Sequence, residues 1–315
     1  MFPTTTTPSK VDEISFRKFS WDDVDLSFIS PRIMYTLGEE IGNGSTSIVY
    51  HATHPIHKKV AVKKYYPQYS CYAEVEIKWL RKVQGHPHFT SVFDTWNDDD
   101  EEKSTRCAYI AMERVDDDIL QLVDFPYHST LTIPEIVDCI QQLLTGLAYL
   151  HNECKLVHFD LKPENIGYTL QPNGRRLFKI LDLGTVESLD TITRPYFQSK
   201  INSGYMIITT SEYRSYEAVV RDGVQKHGEK SDVWALGCII YEMIWGKQLF
   251  MMSDTNSQAI NKIILEEGLD RIHTATIDSS DYAVAINVMR KCLIKDVESR
   301  YSVSQLLQFV TEQMV

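Results

Sequence analysis

The segment His158-Phe159-Asp160-Leu161-Lys162-Pro163-Glu164-Asn165 places a carboxylate, an ammonium and an amide oxygen within one short stretch. Phosphoryl transfer needs such a set. A carboxylate orients and deprotonates the attacking hydroxyl, a lysine stabilises charge on the transferred group, and an amide oxygen holds a hard magnesium ion. Further along, Ile180-Leu181-Asp182-Leu183-Gly184 offers a second oxygen ligand at the end of an apolar run. Earlier in the chain, Val60-Ala61-Val62-Lys63 ends an apolar run on a lysine. Before that, Gly42-Asn43-Gly44-Ser45-Thr46-Ser47 separates two strand-like runs, and its two glycines permit close approach of backbone to phosphates. Each short piece has a plain reading by itself, a turn for the glycines and a surface charge for the lysine. Their order along the chain is what carries the chemistry.

These residues need a scaffold, and the composition supplies one. The chain has 315 residues, 43% apolar and 24% charged, the profile of a globular protein large enough to bury a sizeable core. From Met34 to about Glu113, short runs rich in Ile, Val and Tyr predict strands. One helix interrupts them, over about Tyr72 to Val83, with Val75, Trp79, Leu80 and Val83 as its apolar stripe and His86-Pro87 as its stop. After about Asp117 the pattern turns helical. Thr132-Ile133-Pro134-Glu135 reads as a capping box opening a helix with Ile136, Ile140, Leu143, Leu147 and Leu150 on its apolar face. Further helices are expected over about Ser231 to Trp245, Asn256 to Glu267, Tyr282 to Leu293 and Val303 to Val310. The acidic run Asp98 to Glu102 reads as a solvated turn, because it lacks the alternating ligands and central glycine of a calcium loop.

Charge and cysteine usage narrow the partners. Thirty-two basic against 43 acidic residues give a formal charge of −11, which opposes attraction to nucleic acid or anionic lipid. Neither nucleic acid nor membrane is expected as a partner, and no window approaches the ~20 apolar residues of a membrane span. The six cysteines are scattered without C-x-x-C spacing, so neither a zinc site nor a disulfide framework is suggested. The threonine-rich start lacks the features of a secretory signal, and a cytoplasmic or nuclear location is the expectation.

Taken in order, these motifs resemble the eukaryotic protein kinase family over about Met34 to Val310, with Tyr213-Arg214-Ser215-Tyr216-Glu217, Ser231-Asp232-Val233-Trp234 and Glu298-Ser299-Arg300 adding to the match. The resemblance implies an α+β, bilobal kinase fold: a small antiparallel β-sheet N-lobe with one main helix (34–115) and a larger helical C-lobe (116–313), after an N-terminal extension (1–33). It implies ATP and Mg2+ as cofactors and protein substrates, with a possible regulatory partner. Asp160 would be the catalytic base, Lys162 the phosphate-contacting lysine, and Asn165 and Asp182 the metal ligands. Lys63 would hold the α- and β-phosphates with Glu76 as its partner, one turn before Leu80 on the same helix face. Gly42 and Gly44 would cover the phosphates. Ile41, Val49 and Ala61 would cover the adenine, Met112 would be the gatekeeper, and backbone groups of Glu113 and Val115 would receive the base. Gly167 stands where the family often has a larger apolar residue beneath adenine, which implies a thinner floor.

The resemblance also bears on substrate and regulation. Thr210, seven residues before Glu217, and Lys162 favour serine and threonine hydroxyls. Leu80, Val92, His158 and Leu183 match the column that links the lobes, Glu217 should pair with Arg300, and Asp232 should brace the catalytic loop. Phe159 replaces the arginine that often clamps a phosphorylated activation loop, so weaker dependence on phosphorylation is expected even though Thr191, Thr193, Tyr196, Ser203 and Tyr205 offer hydroxyls. His-Phe-Asp, Asp-Leu-Gly and Tyr-Arg-Ser-x-Glu together look similar to the CMGC group, especially its SR-protein kinase and dual-specificity tyrosine-regulated branches. Against an active enzyme stands the alternative of a pseudokinase scaffold that keeps the fold to bind partners.

Overall fold

The computed structural model describes residues 34–100, 105–124, 128–194, 210–220, 228–250, 257–266 and 282–313. The extension 1–33 and the hydroxyls of Tyr196, Ser203 and Tyr205 lie outside the described residues.

Five antiparallel strands form the N-lobe sheet: β1 (Thr36–Asn43), β2 (Ser47–Thr53), β3 (Val60–Tyr65), β4 (Val92–Asp100) and β5 (Thr105–Glu113), in the order β1-β2-β3-β5-β4. The two-residue period of β3 sorts its side chains. Val60 and Val62 join a small core on one face with Tyr35, Tyr109 and Ala111, while Tyr65 points to the main core on the other. Lys63 shares that second face by parity. β4 runs on through Asp98, Asp99 and Asp100, which pair with Cys107, Arg106 and Thr105, so these acids belong to a strand rather than to the expected turn. Glu101 and Glu102 lie outside the described residues.

Helix α1 spans Ser70–Val83 and follows a short 3-10 turn, Pro67–Tyr69, that lets the chain cross quickly from β3. Its buried face is Ala73, Glu76, Trp79, Leu80 and Val83, whereas Val75 is 37% exposed. The expected stripe was misplaced at Val75 because apolar periodicity assumes that a carboxylate faces water; Glu76 faces inward, where Lys63 and Tyr65 meet it. The helix stops before His86-Pro87. Gln84 turns extended and clasps the backbone of Val92 at 3.1 Å in both directions, and Gly85 takes a left-handed φ of 89°.

In the C-lobe, α2 (Ile133–Ala148) opens on the capping box: the Thr132 N–H and hydroxyl both donate to Glu135 Oε2, at 2.9 and 2.7 Å. Strands β6 (Asp117–Asp118), β7 (Leu156–Val157), β8 (Ile166–Leu170), β9 (Arg176–Ile180) and β10 (Glu187–Ser188) make two small sheets, β9-β8-β6 and β10-β7. Beyond them come α3 (Leu189–Ile192), α4 (Tyr216–Val220), α5 (Glu229–Trp245), α6 (Ser257–Glu266), α7 (Ala283–Cys292) and α8 (Val303–Gln313). Helix α5 is the axis of this lobe, with every residue from Ser231 to Ile244 buried. Its Gly237 is there for closeness: a Cβ would lie 2.7 Å from Cys292 Cβ and Leu293 Cγ on the packed α7 end. Leu80, Val92 and Leu183 share the main core that joins the lobes, and His158 is fully buried.

Candidate active site

The loop from His158 to Asn165 leaves β7, which β10 holds by pairing Val157 with Glu187. It is held from below by α5. Asp232, 1% exposed, accepts the Phe159 N–H at 2.9 Å with one oxygen and the His158 N–H at 2.8 Å with the other. The His151 ring nitrogen meets that second oxygen at 2.8 Å. With its backbone pinned, the loop turns through Phe159 in the left-handed region, φ 66°.

Asp160 is thereby presented with defined partners. Its Oδ1 accepts the Thr210 hydroxyl at 2.6 Å and the Thr210 N–H at 3.0 Å. Lys162 Nζ lies 3.3 Å from Asp160 Oδ2 and 3.3 Å from Thr210 Oγ1. Asn165 turns its amide NH2 to the Asp160 carbonyl at 2.7 Å, which leaves its oxygen for another partner.

Across the cleft, Lys63 joins both lobes. Its ammonium is 2.9 Å from Glu76 Oε2 and 2.9 Å from Asp182 Oδ1. The Tyr65 hydroxyl donates a very short hydrogen bond to Glu76 Oε2. Burial alone would pull Lys63 toward neutrality, but Asp182 and Glu76 outweigh it and hold the ammonium charged, well above its ordinary range. Burial likewise pushes Asp182 up; the Lys63 charge, its hydrogen bond and the Gly184 N–H overcome it and leave Asp182 at about 2. Asp182 sits at φ 53°, and its side chain remains 45% exposed, so it faces the cleft as an ionised oxygen ligand. That pair of hard oxygen donors, Asn165 and Asp182, suits magnesium.

The upper wall of the cleft is the β1-β2 hairpin. Gly42 pairs with Val49, Gly44 N–H closes the turn on Ser47 O at 2.9 Å, and Ile41 is 49% exposed. Ala61 pairs with Met112 across β3 and β5. Glu113 sends its carboxylate to Lys179 at 3.1 Å, tying the hinge to the C-lobe, and its N–H to Ser91 O at 2.8 Å. Beneath the hinge, a Cβ at Gly167 would lie 2.8 Å from Val115 Cγ2 and 2.9 Å from Leu181 Cδ1, so both side chains come close to this strand.

Beyond Asp182 the chain is anchored twice. Phe159 packs with Val157, Ile192 and Leu189, an apolar clip on α3. Glu217 and Arg300 form a bidentate pair at 2.9 and 2.8 Å, 2% and 0% exposed, and the guanidinium drives Glu217 down despite its burial. Between these, the Tyr213 hydroxyl donates to Glu242 Oε2 at 2.6 Å in the core, and burial raises Glu242 to about 7.

Sequence reasoning passed over Tyr65, His151 and the Tyr213–Glu242 bond. The signal for Tyr65 was present in its parity with Lys63 on β3. For Glu242 a carboxylate inside an otherwise apolar helical run was the only mark.

A bilobal molecule with this cleft has the architecture of a kinase, and comparison with known proteins agrees. The protein kinase domain family matches residues 35–310. The chain is 31% identical to cyclin-dependent kinase 12 of Caenorhabditis elegans over 226 residues, 69% of this chain and 29% of that protein. It is 28% identical to serine/threonine-protein kinase ppk21 of Schizosaccharomyces pombe over 236 residues, 71% of this chain and 39% of that protein. Mitogen-activated protein kinase 12 of Rattus norvegicus is 26% identical over 305 residues, 88% of this chain and 77% of that protein. The chain thus spans well under half the length of the first two relatives. It belongs to the protein kinase family, and its likeness to cyclin-dependent and mitogen-activated kinases agrees with the CMGC-like pattern of its motifs.

Proposed function

We propose that this chain is a Mg·ATP-dependent protein serine/threonine kinase that transfers the γ-phosphoryl group to hydroxyls of protein substrates. The observation that carries the reading is the pairing of two charge constellations across one cleft: Asp160 with Lys162 and Thr210 below, and Lys63 with Glu76 and Asp182 above. Asp160 Oδ2 orients the substrate hydroxyl and takes its proton as the new O–P bond forms, while the bond from the γ-phosphorus to the β,γ-bridging oxygen breaks and ADP leaves with its electron pair. Lys162, beside it, offsets the charge that builds on the phosphoryl oxygens. Glu76 aims Lys63 at the α- and β-phosphates, and Gly42 and Gly44 let the hairpin backbone approach them. Asn165 and Asp182 would hold magnesium, which would supply positive charge to offset that of the phosphates. Ile41, Val49, Ala61 and Met112 enclose the base, with hinge backbone groups at Glu113 and Val115 as its polar partners.

Thr210 supports serine and threonine as acceptors, because its hydroxyl and N–H fix one Asp160 oxygen and leave the other for an aliphatic hydroxyl. The test is transfer of labelled phosphate from Mg·ATP to a Ser/Thr peptide library, with Asp182→Asn alongside. Transfer by the unmodified protein and not by the variant supports the enzyme. Nucleotide binding without transfer by either would favour the scaffold reading.

A further inference from the structure

Tyr65 follows Lys63 by two residues on β3, so strand parity sends both side chains off the same face, toward α1. An aliphatic residue would serve an apolar face; a phenol also brings a donor that needs a partner when buried. Tyr65 is 1% exposed. Its hydroxyl donates to Glu76 Oε2, and Lys63 Nζ lies 5.2 Å from the centre of its ring.

Glu76 is the one charged residue on the buried face of α1, between ends that are tied elsewhere. Ser70 Oγ donates to Arg106 O at 2.5 Å, and Lys82 Nζ to Cys154 O at 2.7 Å. Burial raises the Glu76 carboxyl above its ordinary value, toward a neutral form that would hold an ammonium poorly. Lys63 opposes this, but its single charge is divided with Asp182 at 2.9 Å. Tyr65 supplies the other hydrogen bond that favours the ionised form. Burial and the Glu76 charge in turn push the phenol up, so it stays protonated and remains a donor. The hydroxyl also stands beside Gly184, where a Cβ would lie 3.6 Å from it, and the Gly184 N–H caps Asp182 Oδ1 at 3.2 Å. One hydroxyl thus sits where β3, α1 and the turn after Asp182 meet.

We propose that Tyr65 is a positioning residue for phosphoryl transfer: its hydroxyl fixes the Glu76 carboxylate, so that Glu76 holds Lys63 at the phosphates and α1 is kept in its inward setting by β3 itself. The proposal rests on the kinase reading above. A merely structural tyrosine would satisfy its hydroxyl in the core and leave turnover alone.

The experiment is steady-state transfer from Mg·ATP to a Ser/Thr peptide, with the folded fraction of each variant fixed by urea unfolding. Transfer by the unmodified protein is read first. None would overturn the kinase reading and the role of Tyr65 with it, whereas the outcomes that follow concern Tyr65 alone. Tyr65→Phe keeps the ring and loses the hydroxyl. It is expected to lower kcat per folded molecule about ten-fold and leave the peptide KM within about two-fold, as loss of an interaction that acts in the transition state does. Turnover within about two-fold of the unmodified protein, with only the unfolding midpoint lowered, would overturn the proposal. Glu76→Met is apolar, similar in length, and removes the acceptor. Adding Tyr65→Phe to it should change kcat by less than about two-fold, because the hydroxyl acts through Glu76. A further several-fold loss would show Tyr65 acting independently and overturn the proposal as well. This second comparison also decides the matter should Tyr65→Phe alone not fold, since the paired substitution strands no carboxylate in the core.

Discussion

Two ion pairs help hold this molecule together, one across 83 residues of sequence and one across 13, and they are built to different ends. Glu217 and Arg300 are closed: both are buried, bidentate, and completed by Arg300 bonds to Ile294 O and Lys230 O at 2.8 Å. Lys63 and Glu76 are also buried, yet the ammonium is shared with Asp182, whose carboxylate is 45% exposed to the cleft. The closed pair is a rivet with no unsatisfied charge to offer. The other is one side of an open array, stabilised internally but able to receive anionic and cationic groups from outside.

Substituting each pair should separate these roles. Lys63→Met is expected to cut phosphate transfer by about 10²–10³-fold, measured as kcat on a peptide substrate, because a positioned charge is lost from the transition state. Its stability loss should be the smaller of the two, since Glu76 keeps the Tyr65 hydroxyl and Asp182 keeps water. Near-normal turnover would break the comparison. Arg300→Met, in contrast, strands the Glu217 carboxylate in the core and should cost about 3–5 kcal/mol in urea unfolding, a fully buried pair losing one partner.

A third acid sharpens the contrast, because Glu242 meets no cation among the described residues. Burial raises it from 4.5 to about 7, with Glu164 and Glu212 adding to the rise and the Tyr213 hydrogen bond opposing it. The folded state thus keeps a proton that the unfolded state releases, so stability should fall as pH rises from about 4.5 to about 7, by roughly 3 kcal/mol. Glu242→Gln should flatten that decline; unfolding curves at pH 5 and pH 8 compare the two proteins. An unchanged slope would remove Glu242 as its source. The smallest effect concerns regulation: phosphatase treatment should leave most of the transfer activity, since Phe159 holds α3 by apolar packing. Complete loss would show that a phosphate, not Phe159, orders the segment.

Much of the site was legible because its chemistry is contiguous. His158 to Asn165 carries its roles within one loop, and Lys63 stands out as a charge at the end of an apolar run. Where reading failed, partners lay far apart in sequence. The apolar stripe missed at Val75, although the resemblance names Glu76 on the neighbouring face as the partner that Lys63 does meet. The neighbours of Gly167 were not legible either, because Val115 and Leu181 reach it from separate segments. The acidic end of β4 reads as a turn by composition, but pairing with β5 overrides that local preference.

The Phe159 clip has a thermodynamic consequence of its own. A phosphate held by arginine is a charge contact that added salt weakens, whereas Phe159, Val157 and Ile192 meet through apolar surface whose attraction fades on cooling and is little affected by counterions. The start of the activation segment should therefore be loosened by cold rather than by ionic strength, a response opposite in kind to that of a phosphate-clamped loop.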